Sequence, residues 1–133
     1  MENKISISIN TELDIVIARQ KGREIAKELG FPSIDQAMIA TAISELTRNI
    51  ITYAKSGFLV LENLERQGKK GILVISKDNG PGIENIELAM QDGYSTSNSL
   101  GLGLPGVQRL MDDFEIKSTL GQGTTVHTIK WMS

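Results

Sequence analysis

The chain has 133 residues, room for one domain with a core of its own. Fourteen Lys and Arg against sixteen Asp and Glu leave a net charge of −2, which argues against a nucleic-acid module resting on a basic surface. The lack of cysteine removes disulfide scaffolds, thiolate metal sites and Cys nucleophiles, and the single His127 removes a multi-histidine centre. No apolar run approaches the ~18 residues of a membrane span. Residues 1–10 alternate in polarity instead of forming an apolar block, so no signal peptide is expected. These features predict a soluble, cytoplasmic, single domain over 1–133.

Ile5, Ile7 and Ile9 alternate with Ser6 and Ser8, the pattern of a half-buried strand. Thr11 to Asp14 reads as a capping box that opens a helix carrying Leu13, Val16, Ile17, Ile25 and Leu29; Gly30 and Pro32 end it. Ser33 to Gln36 reads as a second capping box. The helix behind it carries Ile39, Ile43, Leu46, Ile50 and Tyr53 on one stripe and is expected to reach about Lys55. Strands are predicted over Phe58–Glu65 and Ile72–Lys77, joined by a turn at 66–71. Residues 78–106 read as loop with a short helical patch at 86–90. Pro105 suits the first position of a helix to Met111. Strands over Phe114–Thr119 and Thr124–Lys130 close the chain. The sum is an α+β sandwich with helices on one sheet face.

Thirteen glycines are about a tenth of the chain, against a typical ~7%. Eight lie between Gly80 and Gly123. Four polar constellations fall in the same part of the sequence or just before it. Glu45 and Asn49 are four residues apart, so at ~100° per residue they share a helix face, with Thr41, Arg48 and Thr52 beside them. Taken alone, that face reads as a solvated one, since most helices expose carboxylates and amides. Asp78-Asn79-Gly80-Pro81-Gly82 follows a buried strand, and is either an ordinary turn or a carboxylate projected into a pocket. Gly101-Leu102-Gly103-Leu104-Pro105-Gly106 opens a helix but follows no strand, which excludes a dinucleotide fold and leaves phosphate capture at a helix start. Gly121-Gln122-Gly123-Thr124 fits a hairpin turn.

The order of these four motifs resembles the GHKL ATP-binding superfamily of gyrase B, Hsp90, histidine kinases and MutL. Within it, Asp14-Ile15-Val16, Ala18-Arg19-Gln20, Thr41 to Leu46, Asp92 to Ser97, Gly103 to Val107 and Ile129-Lys130-Trp131 are similar to the anti-sigma-factor serine kinase branch, in particular to stressosome switch kinases. The resemblance implies a Bergerat-type two-layer sandwich with a mixed, mostly antiparallel sheet and a short ATP lid. It implies Asn49 as the Mg²⁺ ligand, Glu45 as general base, and Asp78 as acceptor for the adenine amino group. Gly80 and Gly82 would let the base approach. Ser95, Thr96, Gly101, Gly103, Leu104 and Gly106 would surround the phosphates, and Thr124 would support Asp78. The implied partners are STAS-domain antagonist and scaffold proteins of a stressosome and a PP2C-type phosphatase, with no nucleic acid or membrane. A nucleotide-gated sequestering module is the alternative. Between Asp78 and Gln108 there are four acids and no Lys or Arg, unlike relatives with a basic lid residue, so Mg²⁺ and backbone N–H groups carry more of the phosphate charge. A third reading, a helix-turn-helix regulator, fails because the second helix is long, apolar and nearly without cations.

Overall fold

The computed structural model describes residues 4–83, 90 and 103–132. Strand β1 (Lys4–Ile9) is followed by helices α1 (Glu12–Leu29) and α2 (Ser33–Asn49), a π-helical turn (Ile50–Ala54), strands β2 (Gly57–Arg66) and β3 (Lys69–Asp78), helix α3 (Gly103–Leu110), and strands β4 (Asp113–Thr119) and β5 (Gly123–Trp131). The five strands form one sheet in the order β1-β2-β3-β5-β4. Each of the four pairings is antiparallel, so the expected mixed sheet is narrowed to an antiparallel one. The helices cover the sheet face that carries Ile9, Leu59, Leu61, Ile72, Val74 and Val126, all buried.

Local chemistry fixes the ends of α1. Asp14 Oδ2 reaches back to accept the backbone N–H groups of Asn10 (2.9 Å) and Thr11 (3.0 Å). Gly30, at φ 99°, closes the other end in the left-handed region. The hydrogen bonds from Asn10 and Thr11 hold the Asp14 carboxyl below its ordinary value. Its contribution to stability is therefore fully present above the ordinary carboxylate value and is lost as the pH falls through the lower, folded-state value. Asp14→Asn removes that component. Melting curves across a pH series are expected to show a gap between wild type and variant at neutral pH that closes on acidification.

The inner face of α1 differs from the expected stripe. Leu13, Val16 and Ile17 are exposed, while Ile15, Ala18, Gly22, Ile25 and Ala26 face the core. Small residues decide the outcome, because a Cβ at Gly22 would collide with Ile43 of α2, and the two helices pack at that point. The second capping box does not form. Pro32 takes the N-cap position, its carbonyl accepts the Gln36 N–H at 3.0 Å, and the Gln36 side chain turns to the Phe31 carbonyl instead. The long helix also changes pitch after Asn49. The π turn widens the spiral, takes Tyr53 off the buried stripe, and ends at Lys55 with φ 71°.

The turn between β2 and β3 is tighter than expected. Arg66 pairs with Lys69, and Gln67 and Gly68 (φ 53° and 79°) form a two-residue connection whose positive φ values match the strand twist. Helix α3 begins at Gly103, two residues before the expected start, which places Pro105 within the first turn where its missing N–H costs nothing. Trp131 lies on the sheet face away from the helices. Its indole N–H donates to Asp113 (2.8 Å), and Arg66 stacks 5.6 Å from its ring centroid. The helical patch expected at 86–90 lies outside the described residues except for Met90.

Candidate functional site

The polar face of α2 is not solvated throughout. Glu45 is only 6% exposed, and Arg48 Nη1 stands 3.8 Å from its Oε1. Removing a carboxylate from water costs several kcal/mol unless partners compensate. Glu45 is thus a buried carboxyl group whose ion-pair partner is itself nearly half-exposed. Asn49, one turn on, shares the face and is half-buried. The neighbouring hydroxyls are already committed to the helix backbone, Ser44 to the Ala40 carbonyl (3.0 Å) and Thr47 to the Ile43 carbonyl (2.7 Å). Glu45, Arg48 and Asn49, flanked by Thr41 and Thr52, remain as the groups on this face that can act outward.

Asp78 ends β3. It pairs with Gly57 on one side and Thr124 on the other, and Thr124 pairs with Ser118. Asp78, Thr124 and Ser118 thus form one polar row across three adjacent strands, on the same side of the sheet as the helices. Asp78 Oδ1 accepts the N–H of Gly80 (2.9 Å) and, more weakly, of Thr124 (3.3 Å). The turn reading is seen directly: the carboxylate closes its own turn through Oδ1.

The glycines of this region have neighbours within the protein itself. A Cβ at Gly80 would stand 2.6 Å from the Ala54 Cβ, so the turn after β3 rests on the π turn after Asn49. At Gly82 (φ 78°) a Cβ would collide with the Thr119 carbonyl, and at Gly123 (φ 115°) with the Asp78 carbonyl. Two hydrogen bonds of 2.7 Å complete this clasp, Gly121 N–H to the Pro81 carbonyl and Ile83 N–H to Ser118 Oγ. The expected reason for Gly80 and Gly82, room for a flat ligand, is thus preceded by a closer one, room for Ala54 and Thr119.

Helix α3 packs along α2, with Leu104, Pro105, Gly106 and Val107 buried. Its last turn is tied to the sheet by Lys130, whose ammonium donates to the Leu110 carbonyl at 2.8 Å and lies 3.9 Å from Asp112. Gly103, Leu104 and Gly106 are therefore fixed beside the helix that carries Glu45 and Asn49. Ser95, Thr96 and Gly101 lie outside the described residues. Among the described residues, no group of three or more His, Cys, Asp or Glu side chains is arranged to hold a metal ion. A cation at Asn49 would have to share one neutral amide oxygen with ligand and water oxygens, which fits Mg²⁺ beside phosphates and does not fit a tightly chelated metal.

A model of the histidine kinase-, DNA gyrase B- and HSP90-like ATPases matches residues 34–132, from the start of α2 to the end of β5. The chain belongs to this ATPase family. Over 132 residues, 99% of each chain, this GHKL protein is 54% identical to the serine/threonine-protein kinase RsbT of Bacillus subtilis strain 168. It is 37% identical over 108 residues, 76% of this chain and 74% of the relative, to an anti-sigma F factor of Caldanaerobacter subterraneus subsp. tengcongensis. The crystal structure of the RsbU and RsbW domains of a Mycobacterium tuberculosis protein has the same fold, with a TM-score of 0.65 at 20% identity, covering 100% of this chain and 33% of that one. The present chain thus spans a third of that structure. It is an enzyme, a serine/threonine-protein kinase, and its family implies the use of ATP. Two features of this region escaped the motifs. Ser118 sits in an ordinary-looking strand, and its only sequence signal is its cross-strand alignment with Thr124. The π turn leaves no signature in apolar spacing.

Proposed function

We propose that the chain is an ATP- and Mg²⁺-dependent protein kinase that transfers phosphate to a serine or threonine of STAS-domain antagonist and scaffold proteins of a stressosome. Once released from them, it activates a PP2C-type phosphatase in a sigma-factor cascade, in the cytoplasm. The observation that carries this reading is the buried Glu45 carboxylate one helical turn from Asn49, on a helix whose π-turn extension touches the Asp78 turn. A base beside a neutral metal ligand suits phosphoryl transfer, which is mainly positioning and charge neutralisation. Asn49 would hold Mg²⁺ by its amide oxygen, and the ion would neutralise charge on the phosphates. Asp78 Oδ2 would accept from the adenine amino group, with Thr124 behind it through its backbone N–H. Ser95, Thr96, Gly101, Gly103, Leu104 and Gly106 would line the phosphates. Glu45 would take the proton of the attacking hydroxyl.

The name of the 37% identical relatives, anti-sigma F factor, favours a second reading, a nucleotide-gated module that sequesters a partner without chemistry. Glu45 separates the two, because sequestration needs no base. Incubation with γ-labelled ATP and a purified STAS-domain partner is expected to label the partner in Mg²⁺. With EDTA both labelling and nucleotide binding should fall to background. Tight nucleotide binding in EDTA would count against Asn49 as a metal ligand. Partner binding without label would leave the module reading in place.

A further inference from the structure

The reading above gives Arg48 no task, yet its guanidinium stands 3.8 Å from Glu45 Oε1. At ~100° per residue, Asn49 falls ~40° to one side of Glu45 along the helix and Arg48 ~60° to the other. The carboxylate is thus flanked by a neutral amide and a cation. A separation of 3.8 Å is longer than a hydrogen bond, so the planar fork of N–H donors is attracted to Glu45 without being tied to it. Glu45 is buried, whereas the Arg48 side chain is nearly half-exposed and is the partner with room to move. A cation in the last turn of a helix often serves the helix itself, by meeting its final carbonyls. That service is not needed at this turn. The Ile50 N–H donates back to the Leu46 and Thr47 carbonyls, and the π turn carries the spiral on to Ala54.

Residues 79–107 contain no Lys or Arg. Phosphoryl transfer spreads negative charge over the equatorial oxygens, and proteins meet it with metal ions and cationic side chains. We propose that Arg48 is a catalytic residue of the transfer: its guanidinium leaves Glu45 for the equatorial oxygens of the transferring phosphoryl group. The inference rests on the reading above that Glu45 is the base and Asn49 the metal ligand. Reach supports it. A base lies about 2.6–3.2 Å from the hydroxyl it deprotonates, and that oxygen lies about 3–3.5 Å from the atom it attacks. A group 3.8 Å from the base is then within a side-chain rotation of the phosphoryl oxygens. In the step, the acceptor oxygen bonds to the γ-phosphorus and its proton passes to Glu45. The bond from phosphorus to the β–γ bridging oxygen breaks, and its electron pair leaves on ADP. Protonation of Glu45 removes the charge that attracts Arg48, while charge shifts among the phosphoryl oxygens. The guanidinium thus changes partner along the reaction. Arginine suits this exchange better than lysine, because its fork matches phosphate oxygens bidentately and it stays charged.

The test is single-turnover transfer from γ-labelled ATP, with Mg²⁺, to a purified STAS-domain partner. It compares wild type, Glu45→Gln, Arg48→Ala, Arg48→Lys and the double variant Glu45→Gln/Arg48→Ala, with ATP and ADP affinities and melting curves for each. Alanine is the best helix former, so the fold should hold. Arg48→Ala is expected to transfer about 10²–10³-fold more slowly, the usual worth of one preorganised donor to developing charge. ADP, which lacks the transferring group, keeps its wild-type affinity. Arg48→Lys, with the charge but not the fork, falls between Arg48→Ala and wild type. The double variant is slower than Glu45→Gln, because the two groups act on different atoms. An arginine that merely steadies Glu45 would leave the double variant no slower than Glu45→Gln, and that result overturns the inference. Equal losses of ATP and ADP affinity with a lowered melting point would show a structural arginine and overturn it as well. Wild-type transfer by Arg48→Ala beside a slow Glu45→Gln overturns it and leaves the site standing. Wild-type transfer by Glu45→Gln removes the base, and the inference with it.

Discussion

Glu45→Gln is expected to lower phosphoryl transfer about 10²–10⁴-fold, the usual worth of a general base, while nucleotide and partner binding persist. The variant keeps the volume and one acceptor oxygen of a side chain that is 6% exposed. It loses the charge that faces Arg48 at 3.8 Å, but Arg48 is nearly half-exposed and can rehydrate, so the fold should tolerate the change. Single-turnover transfer of labelled phosphate, read beside equilibrium nucleotide binding, separates the two effects. Asn49→Ala should show the opposite signature, with nucleotide binding itself weakened in Mg²⁺. If Glu45→Gln transfers at the wild-type rate, the base lies elsewhere.

Gly123→Ala is expected to be the most damaging single methyl group in the described chain. The residue has φ 115°, and its Cβ would collide with the Asp78 carbonyl oxygen. Positive φ alone costs a non-glycine residue about 1–2 kcal/mol. The collision is with backbone of the central sheet and cannot be relieved by turning a side chain. Gly121→Ala is the internal control. It has φ 82° in the same turn, yet nothing lies within 4 Å of its Cβ. Melting curves should show Gly121→Ala destabilised by about 1 kcal/mol, and Gly123→Ala by clearly more. Nucleotide binding should be lost only in Gly123→Ala, because that methyl pushes apart Asp78 and Thr124. Equal losses in the two variants would mean that conformation, and not the β3–β5 approach, sets the need for glycine.

Where local chemistry decides structure, the sequence was easily read. Alternating isoleucines specify β1, and Asp14 and Gly30 specify the ends of α1, because each signal acts within a few residues. Where packing decides, it was not. Leu13, Val16 and Ile17 have helical spacing, but Ala18 and Gly22 allow α2 closer than larger residues would, and this turns the other side of α1 inward. The π turn was hidden because Ile50 and Tyr53 fit an α-helical stripe until the extra residue is counted. The burial of Glu45 depends on the packed structure, including α3, drawn from residues 103–110, which lies along its helix. Asp78 and Thr124 could be suspected one motif at a time. The row that joins them needs the register of β3, β5 and β4, which no local pattern states.

That row has a consequence for how the molecule assembles. Strands β2 and β3 are neighbours in sequence, and so are β4 and β5, whereas the seam between β3 and β5 joins residues 46 apart at Asp78 and Thr124. Local hairpins close early and cheaply, and distant pairings close later. Asp78 belongs to one hairpin, and Thr124 and Ser118 to the other, so neither hairpin alone carries the row on which the base is proposed to sit. A nucleotide bound there, as proposed, would grip both sides of the seam and bind only the docked sheet. By mass action, at a free concentration 100 times its dissociation constant it adds about 2.7 kcal/mol to the native state. On the proposed placement, the substrate of the kinase is then also a clamp on a long-range strand pair.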